Sequence, residues 1–264
     1  MVPRMPDEHA SPTHAAIHPA PDLSVAAWHD RLALVRARVN EATVAAGRAP
    51  ADVHLLPTVK YVDAQGVTRL VAAGATDLAE NRLDALEIKQ AAVGELLAAH
   101  SSDSPALRPP LWHYIGRVQS KQVVEIARRV DMIHSLASPR AFARLATAAA
   151  NGLALPSLLV QVNAANDPAK DGVALDSVEQ LLTELPAEIR IAGFMTMPAF
   201  ATDPEQSRPA FAALCDLRDR LAPAFVGRHD LQVLSMGTTQ DLDVAIAEGA
   251  THVRLGRILF SDAE

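Results

Sequence analysis

The run spanning residues 52–62, DVHLLPTVKYV, places Lys60 inside an otherwise apolar stretch that has β-branched residues near its end. An ammonium carried on a buried strand loses hydration, so its pKa falls, and the free amine becomes a nucleophile able to condense with an aldehyde as a Schiff base. The competing reading is a lysine at a ragged strand end, reaching water along its own methylenes. A second group of residues suits an anion. Ser235-Met-Gly237-Thr238-Thr239 precedes a helical pattern beginning near Gln240, so it offers backbone N–H groups at a helix N-terminus, hydroxyls, and a glycine permitting close approach. Arg254-Leu-Gly256-Arg257 adds another glycine and two cationic side chains. Read alone, Gly237 is equally a turn residue and Thr238 or Thr239 an ordinary N-cap. Taken together, an amine and an anion cup describe a site for an aldehyde that carries a phosphate.

Arg254 lies between Val253 and Leu255, so alternation sets it on the face opposite its apolar neighbours. Inward, it meets a ligand; outward, it is a surface residue between helices. An inward arginine beside a pyridine nitrogen keeps that nitrogen unprotonated, because two cations repel, and weakens the ring as an electron sink. Glu80-Asn81, His113-Tyr114, Gln161 with Asn163, and Met195-Thr196-Met197 also end apolar runs, each with a plain structural alternative as cap, core imidazole or space-filler. His54, His134, His229 and His252 show no ligand spacing with carboxylates or with Cys215, which argues against a metal site.

Stepping along the chain, a helical pattern over 26–46 is followed by eight apolar runs near 52–62, 76–80, 111–115, 131–136, 156–163, 189–197, 230–235 and 252–260, with helical patterns between them. Gly47, Gly74, Gly152 and Gly249 mark helix ends. Eight alternations with short connections predict a (β/α)8 TIM barrel preceded by an extra N-terminal helix; a doubly wound open sheet is the rival architecture. In such a barrel, functional residues collect at the C-terminal ends of the strands, and a phosphate commonly sits after strands seven and eight. Lys60 ends strand one of the same ring.

The 264 residues are 49% apolar but only 4% aromatic, so the core must be built from Ala, Leu, Val and Ile. A net charge of -7 with scattered Lys and Arg offers no basic stripe for nucleic acid and no polybasic membrane anchor. The single cysteine, Cys215, forms no internal disulfide and is expected to be buried and inert. With neither a membrane-length apolar run nor a signal peptide, the expected location is cytoplasmic. Residues 1–23, rich in Pro, Ala and His, are expected to be a disordered extension before a barrel domain over 24–264.

The motifs LLPTVK ending at Lys60, Glu80-Asn81, WHYIG with Gln119, Lys170-x-Gly172, GFMTM over 193–197, LSMG ending at Gly237 with Asp241, and VRLG ending at Gly256 occur in one order. In that combination the chain resembles the pyridoxal-phosphate homeostasis proteins, single-domain relatives of the alanine racemase N-terminal barrel. The resemblance implies that Lys60 forms a Schiff base with pyridoxal 5'-phosphate, and that Ser235, Gly237 and Gly256 hold the phosphate. It also implies Arg254 near the pyridine nitrogen, with Asn81 and Met195 close to the cofactor. The chain departs from the family pattern at 82–86 (RLDAL), at Ser120-Lys121-Gln122 and at Arg257.

A racemase of this cofactor type needs acid/base groups on opposite faces of its substrate, the second a tyrosine from another domain. This chain ends four residues after Phe260, and its two tyrosines, Tyr61 and Tyr114, fall within the barrel part. The expected function is therefore cofactor carriage and vitamin B6 homeostasis, by a monomer that serves pyridoxal-phosphate-requiring apo-enzymes. The alternatives are a pyridoxal-phosphate enzyme, racemase or decarboxylase, using Tyr114 or His113, and a phosphate-sugar enzyme with Lys60 as its Schiff-base lysine.

Overall fold

A computed structural model describes residues 22–99, 107–168, 170–199 and 201–260. The extension expected over 1–23 lies, apart from Asp22 and Leu23, outside the described residues. The strands are β1 (His54–Pro57), β2 (Asp77–Glu80), β3 (Leu111–Tyr114), β4 (Met132–Leu136), β5 (Ser157–Asn163), β6 (Val173–Ala174), β7 (Ile191–Met195), β8 (Val233–Ser235) and β9 (His252–Leu255). All pair in parallel in the order β1-β9-β8-β7-β5-β4-β3-β2, with the two-residue β6 lying off this path beside β5. A bridge between Thr58 and Ala79, reinforced by the Val59 N–H donating to the Ala79 carbonyl at 2.9 Å, brings the two ends of that order together. The result is a nearly closed barrel of eight parallel strands.

Helices α1 (Val25–Ala45), α2 (Ala64–Ala72), α3 (Leu83–Ala99), α4 (Val123–Ala127), α5 (Pro139–Ala150), α6 (Val178–Glu184), α7 (Arg208–Leu221), α8 (Leu242–Ala247) and α9 (Arg257–Phe260) surround it. The extra helix, α1, is capped by Ser24, whose hydroxyl accepts from the Ala27 N–H. Its buried Trp28, Leu32, Val35 and Val39 recur at helical spacing and form one apolar face. That face meets α2, α8 and α9, with the Trp28 and Phe260 rings edge to face at 5.4 Å between centroids. Most of the core is Leu, Val, Ile and Ala, as the scarcity of aromatics requires. The barrel interior, by contrast, holds His113, His134, Ser235 and Arg254, all buried.

Two strand expectations need correction. The first strand does not run from 52 to 62. It stops at Pro57, which has no N–H to extend the ladder, and 59–62 is a turn closed by the Val62 N–H donating to the Val59 carbonyl at 3.0 Å. Val59 and Val62 are buried because they pack beneath that turn, and their apolar character imitates a longer strand. Likewise the last strand ends at Leu255. After Gly256 the chain turns into α9, whose Leu259 and Phe260 are buried by helical packing rather than in the sheet.

Candidate cofactor site

The loops at the C-terminal ends of the strands enclose a cavity of about 370 Å³. Lys60 lines it from the turn after β1. The residue is exposed, not shielded in a strand, and its Nζ stands 4.6 Å from the centroid of the Tyr61 ring. Burial therefore does not set the chemistry of this amine; its placement on the cavity wall does. Lys89 of α3 fixes that placement from below. Buried to 5% exposure, it donates to the Val59 carbonyl at 2.7 Å and pairs with Glu80, itself fully buried. Glu80 in turn accepts from the Asn81 and Arg82 N–H groups at 2.6 and 3.2 Å. One buried ion pair thus holds both the residue before Lys60 and the backbone of Asn81, in the segments that follow two neighbouring strands.

Asn81 follows β2 and reaches the cavity wall beside Ile115. Gly116 makes room for it: a Cβ there would lie 1.9 Å from the Asn81 carbonyl oxygen. On the opposite side, Gly237 adopts φ +90°, and a Cβ would meet that of Ala245 at 2.4 Å, so both conformation and space demand glycine. The Thr238 N–H is not available to a ligand, because Asp241 accepts it at 2.7 Å along with the Thr238 hydroxyl at 3.0 Å. Ser207 donates to the other Asp241 oxygen at 3.0 Å, which fixes the carboxylate. The Gly237, Thr239, Gln240 and Gly256 N–H groups have no protein acceptor among the described residues, and all four residues line the cavity. Thr58, on the same wall, has a buried hydroxyl with no hydrogen-bond partner among the described residues. A methyl built on Gly256 would touch the Thr58 carbonyl at 3.6 Å, so the loops after β1 and β9 abut.

Arg254 faces inward, is 5% exposed, and lines the cavity floor. It donates to the Ser235 hydroxyl at 2.8 Å and to the Thr196 carbonyl at 3.0 Å. Burial pulls its pKa down to about 10, and Asp241 opposes that shift, so it remains a cation at neutral pH. Of the seven residues expected at the site, Lys60, Asn81, Met195, Gly237, Arg254 and Gly256 line this cavity. Ser235 does not. Its hydroxyl lies in the barrel interior, engaged by Arg254 and by His134 Nδ1 at 2.8 Å, because β8 turns that side chain inward instead of upward. Cys215 is only partly buried, within reach of Arg218 at 3.3 Å, and burial raises its thiol pKa. Among the described residues there is no cluster that could hold a metal ion and no helix long and apolar enough to cross a membrane.

Sequence reasoning missed Thr58 and Lys89. The signal for Lys89 was present: Leu86, Lys89 and Val93 are spaced three and four apart and form the buried stripe of α3, so a charge at the middle position had to be paired.

Residues 32–264 match the family described as alanine racemase, N-terminal domain. Over 235 residues the chain is 36% identical to the pyridoxal phosphate homeostasis protein of Pseudomonas aeruginosa, covering 88% of this chain and 94% of that protein. The chain belongs to this family. Its counterpart from Aquifex aeolicus, also a pyridoxal phosphate homeostasis protein, is 31% identical and covers 88% of this chain and 97% of its own length. Among solved structures, PipY of Synechococcus elongatus with PLP bound superposes with a TM-score of 0.69 at 26% identity, over 89% of this chain and 100% of PipY. The homeostasis proteins are thus matched along nearly their whole length, and the family match over 32–264 spans both loops that carry Gly237 and Gly256.

Proposed function

We propose that this protein binds pyridoxal 5'-phosphate in the cavity at the C-terminal ends of the strands, and carries or buffers it so as to maintain vitamin B6 and amino-acid and keto-acid balance. One observation carries the reading: the Lys60 amine and a rim of backbone N–H groups without acceptors line the same cavity. The donor set fits. The Gly237, Thr239, Gln240 and Gly256 amides and the orphaned Thr58 hydroxyl supply neutral donors for phosphate oxygens, and Lys60 supplies the amine for the aldehyde. When bound, the group supplies an aldehyde that joins reversibly to an amine, and a conjugated ring.

The residues themselves favour carriage over turnover. Lys60 is open to water, so a competing amine can reach the carbon it holds and displace it. Arg254 is the buried cation of the cavity floor, and a cation near a pyridine nitrogen keeps that nitrogen unprotonated. Neither Tyr114 nor His113 lines the cavity, and both His113 ring nitrogens are already within hydrogen-bond reach of His134 and Asp77. Tyr61 does line it, but on the same turn as Lys60 rather than across from it. Neither tyrosine nor His113 therefore stands opposite the lysine; of the other acid/base groups on the wall, Asp241 is engaged by Thr238 and Ser207, and Lys170 is an exposed loop residue. Incubating the loaded protein with D- and L-amino acids in deuterium oxide tests this. Carriage predicts no Cα–H exchange beyond that of free pyridoxal phosphate; exchange at enzymatic rates would establish a racemase or decarboxylase instead.

A further inference from the structure

Five side chains form a hydrogen-bonded line through the barrel interior, from the cavity floor to the opposite face. Arg254 Nη1 lies 2.8 Å from Ser235 Oγ, Ser235 Oγ lies 2.8 Å from His134 Nδ1, and His134 Nε2 lies 2.9 Å from His113 Nδ1. His113 Nε2 then reaches Asp77 Oδ1 at 3.3 Å. Asp77 begins β2, so it stands at the N-terminal end of the barrel, beside a separate polar pocket shared with Arg36, Asn40 and His54. Ser235 and His134 are fully buried, and His113 is 2% exposed. Branched apolar side chains normally fill such layers, so burying a file of polar groups requires each to be satisfied.

The two ends fix the direction of every bond. A guanidinium only donates, and an ionised carboxylate only accepts. Burial alone would raise the Asp77 pKa, but hydrogen bonds from His113 and Thr76, with the electrostatic pull of His113 and His54, outweigh it and hold the carboxyl below its ordinary value, so it is ionised at neutral pH. Starting from Asp77, a neutral His113 must donate from Nε2 and accept at Nδ1. His134 must then donate from Nε2 and accept at Nδ1, and the Ser235 O–H must donate to His134 while its oxygen accepts from Arg254. Both imidazoles are thereby set as Nε2–H tautomers. The opposite arrangement would aim two N–H donors at Ser235 and leave its buried O–H without an acceptor, at a cost of about 1–3 kcal/mol.

We propose that this directed chain positions Arg254 in the cofactor cavity, with His134 as its central positioning residue and Asp77 as a remote anchor on the far face of the barrel. None of the intermediate groups touches the cavity: Ser235, His134, His113 and Asp77 are all absent from its wall. They act on the cofactor only through the guanidinium. The inference rests on the proposed binding of pyridoxal phosphate for its functional consequence, but not for the geometry of the chain.

The test has one arm for each. In ligand-free protein labelled with ¹⁵N-histidine, two-bond proton–nitrogen spectra at pH 7.5 report tautomers directly. His134, assigned by loss of its signals in His134→Phe, or in His134→Asn if that variant does not fold, is expected as the neutral Nε2–H form, and so is His113. A Nδ1–H or cationic His134 would overturn the proposal, whatever the cofactor does. In the second arm, Asp77→Asn removes the acceptor-only anchor without touching the cavity. Pyridoxal phosphate affinity is expected to weaken about five- to tenfold, the equivalent of one ordinary hydrogen bond, with the covalent attachment to Lys60 still forming. Affinity unchanged within twofold would show the chain to be packing alone and sink the positioning role. Failure of the wild-type protein to bind the cofactor at all would instead refute the proposed function, which the first arm does not depend on.

Discussion

Replacing Lys89 by methionine isolates what the buried ion pair contributes to the site. The side chains are of similar length, so packing in the α3 stripe is nearly preserved while the ammonium is lost. Glu80, fully buried, then keeps only the Asn81 and Arg82 amides as partners, and the Val59 carbonyl loses its bond from Nζ. Leaving one member of a buried pair behind costs about 3–5 kcal/mol. At roughly 2 °C per kcal/mol for a chain of this size, Tm falls by about 6–10 °C. The Glu80→Gln/Lys89→Met double variant removes the stranded charge, so it should recover about half of the loss. Because the Val59 carbonyl is freed in both variants, the turn carrying Lys60 loosens in both, and pyridoxal phosphate attaches more slowly than to wild type even where stability is regained. Thermal melts followed by circular dichroism, and the growth of the cofactor's visible band, read the two effects separately. A single variant within about 2 °C of wild type, or a double variant no better than the single, would refute the reasoning.

Two further outcomes follow from the same geometry. Gly237→Ala forces a Cβ to 2.4 Å from that of Ala245 at a left-handed φ, so it should cost about 1–3 kcal/mol in urea unfolding and weaken inorganic phosphate binding; an unaltered midpoint would mean that the loop yields freely. The buried imidazoles make stability acid-sensitive: burial and neighbouring cations hold His134 well below its ordinary value and His252 at about 3. Unfolded imidazoles protonate near pH 6.5, so below that pH the unfolded state binds more protons. Stability is intact above about pH 6.5 and falls beneath it by up to about 1.4 kcal/mol per pH unit for each of the two groups, until the folded-state value is reached. Urea midpoints at pH 7.5 and 5.0 measure this, and equal midpoints would contradict it.

The alternation of apolar runs with glycine-stopped helical patterns made the barrel legible in the sequence, because parallel strands covered on both faces are continuously apolar. The same rule misled at 59–62 and 257–260, where apolar residues serve a turn and a short helix. Alternation alone left the direction of Arg254 open; the structure turns it inward. Ser235 was expected to hold phosphate from its hydroxyl-and-glycine context, yet strand pleat sends it inward to His134, and only a known register decides that. The imidazole file was invisible for a different reason. His113, His134 and Ser235 lie on three strands, and nothing in their sequence spacing announces that those strands bring them together.

Two lysines, Lys60 and Lys170, line the cavity, and the account depends on the first of them. Loading the protein with pyridoxal phosphate, reducing with borohydride and mapping the modified peptides by mass spectrometry decides between them. Modification confined to Lys60, and absent from a folded Lys60→Ala variant, is the predicted result; a reduced adduct on Lys170, or one that persists in Lys60→Ala, would contradict it.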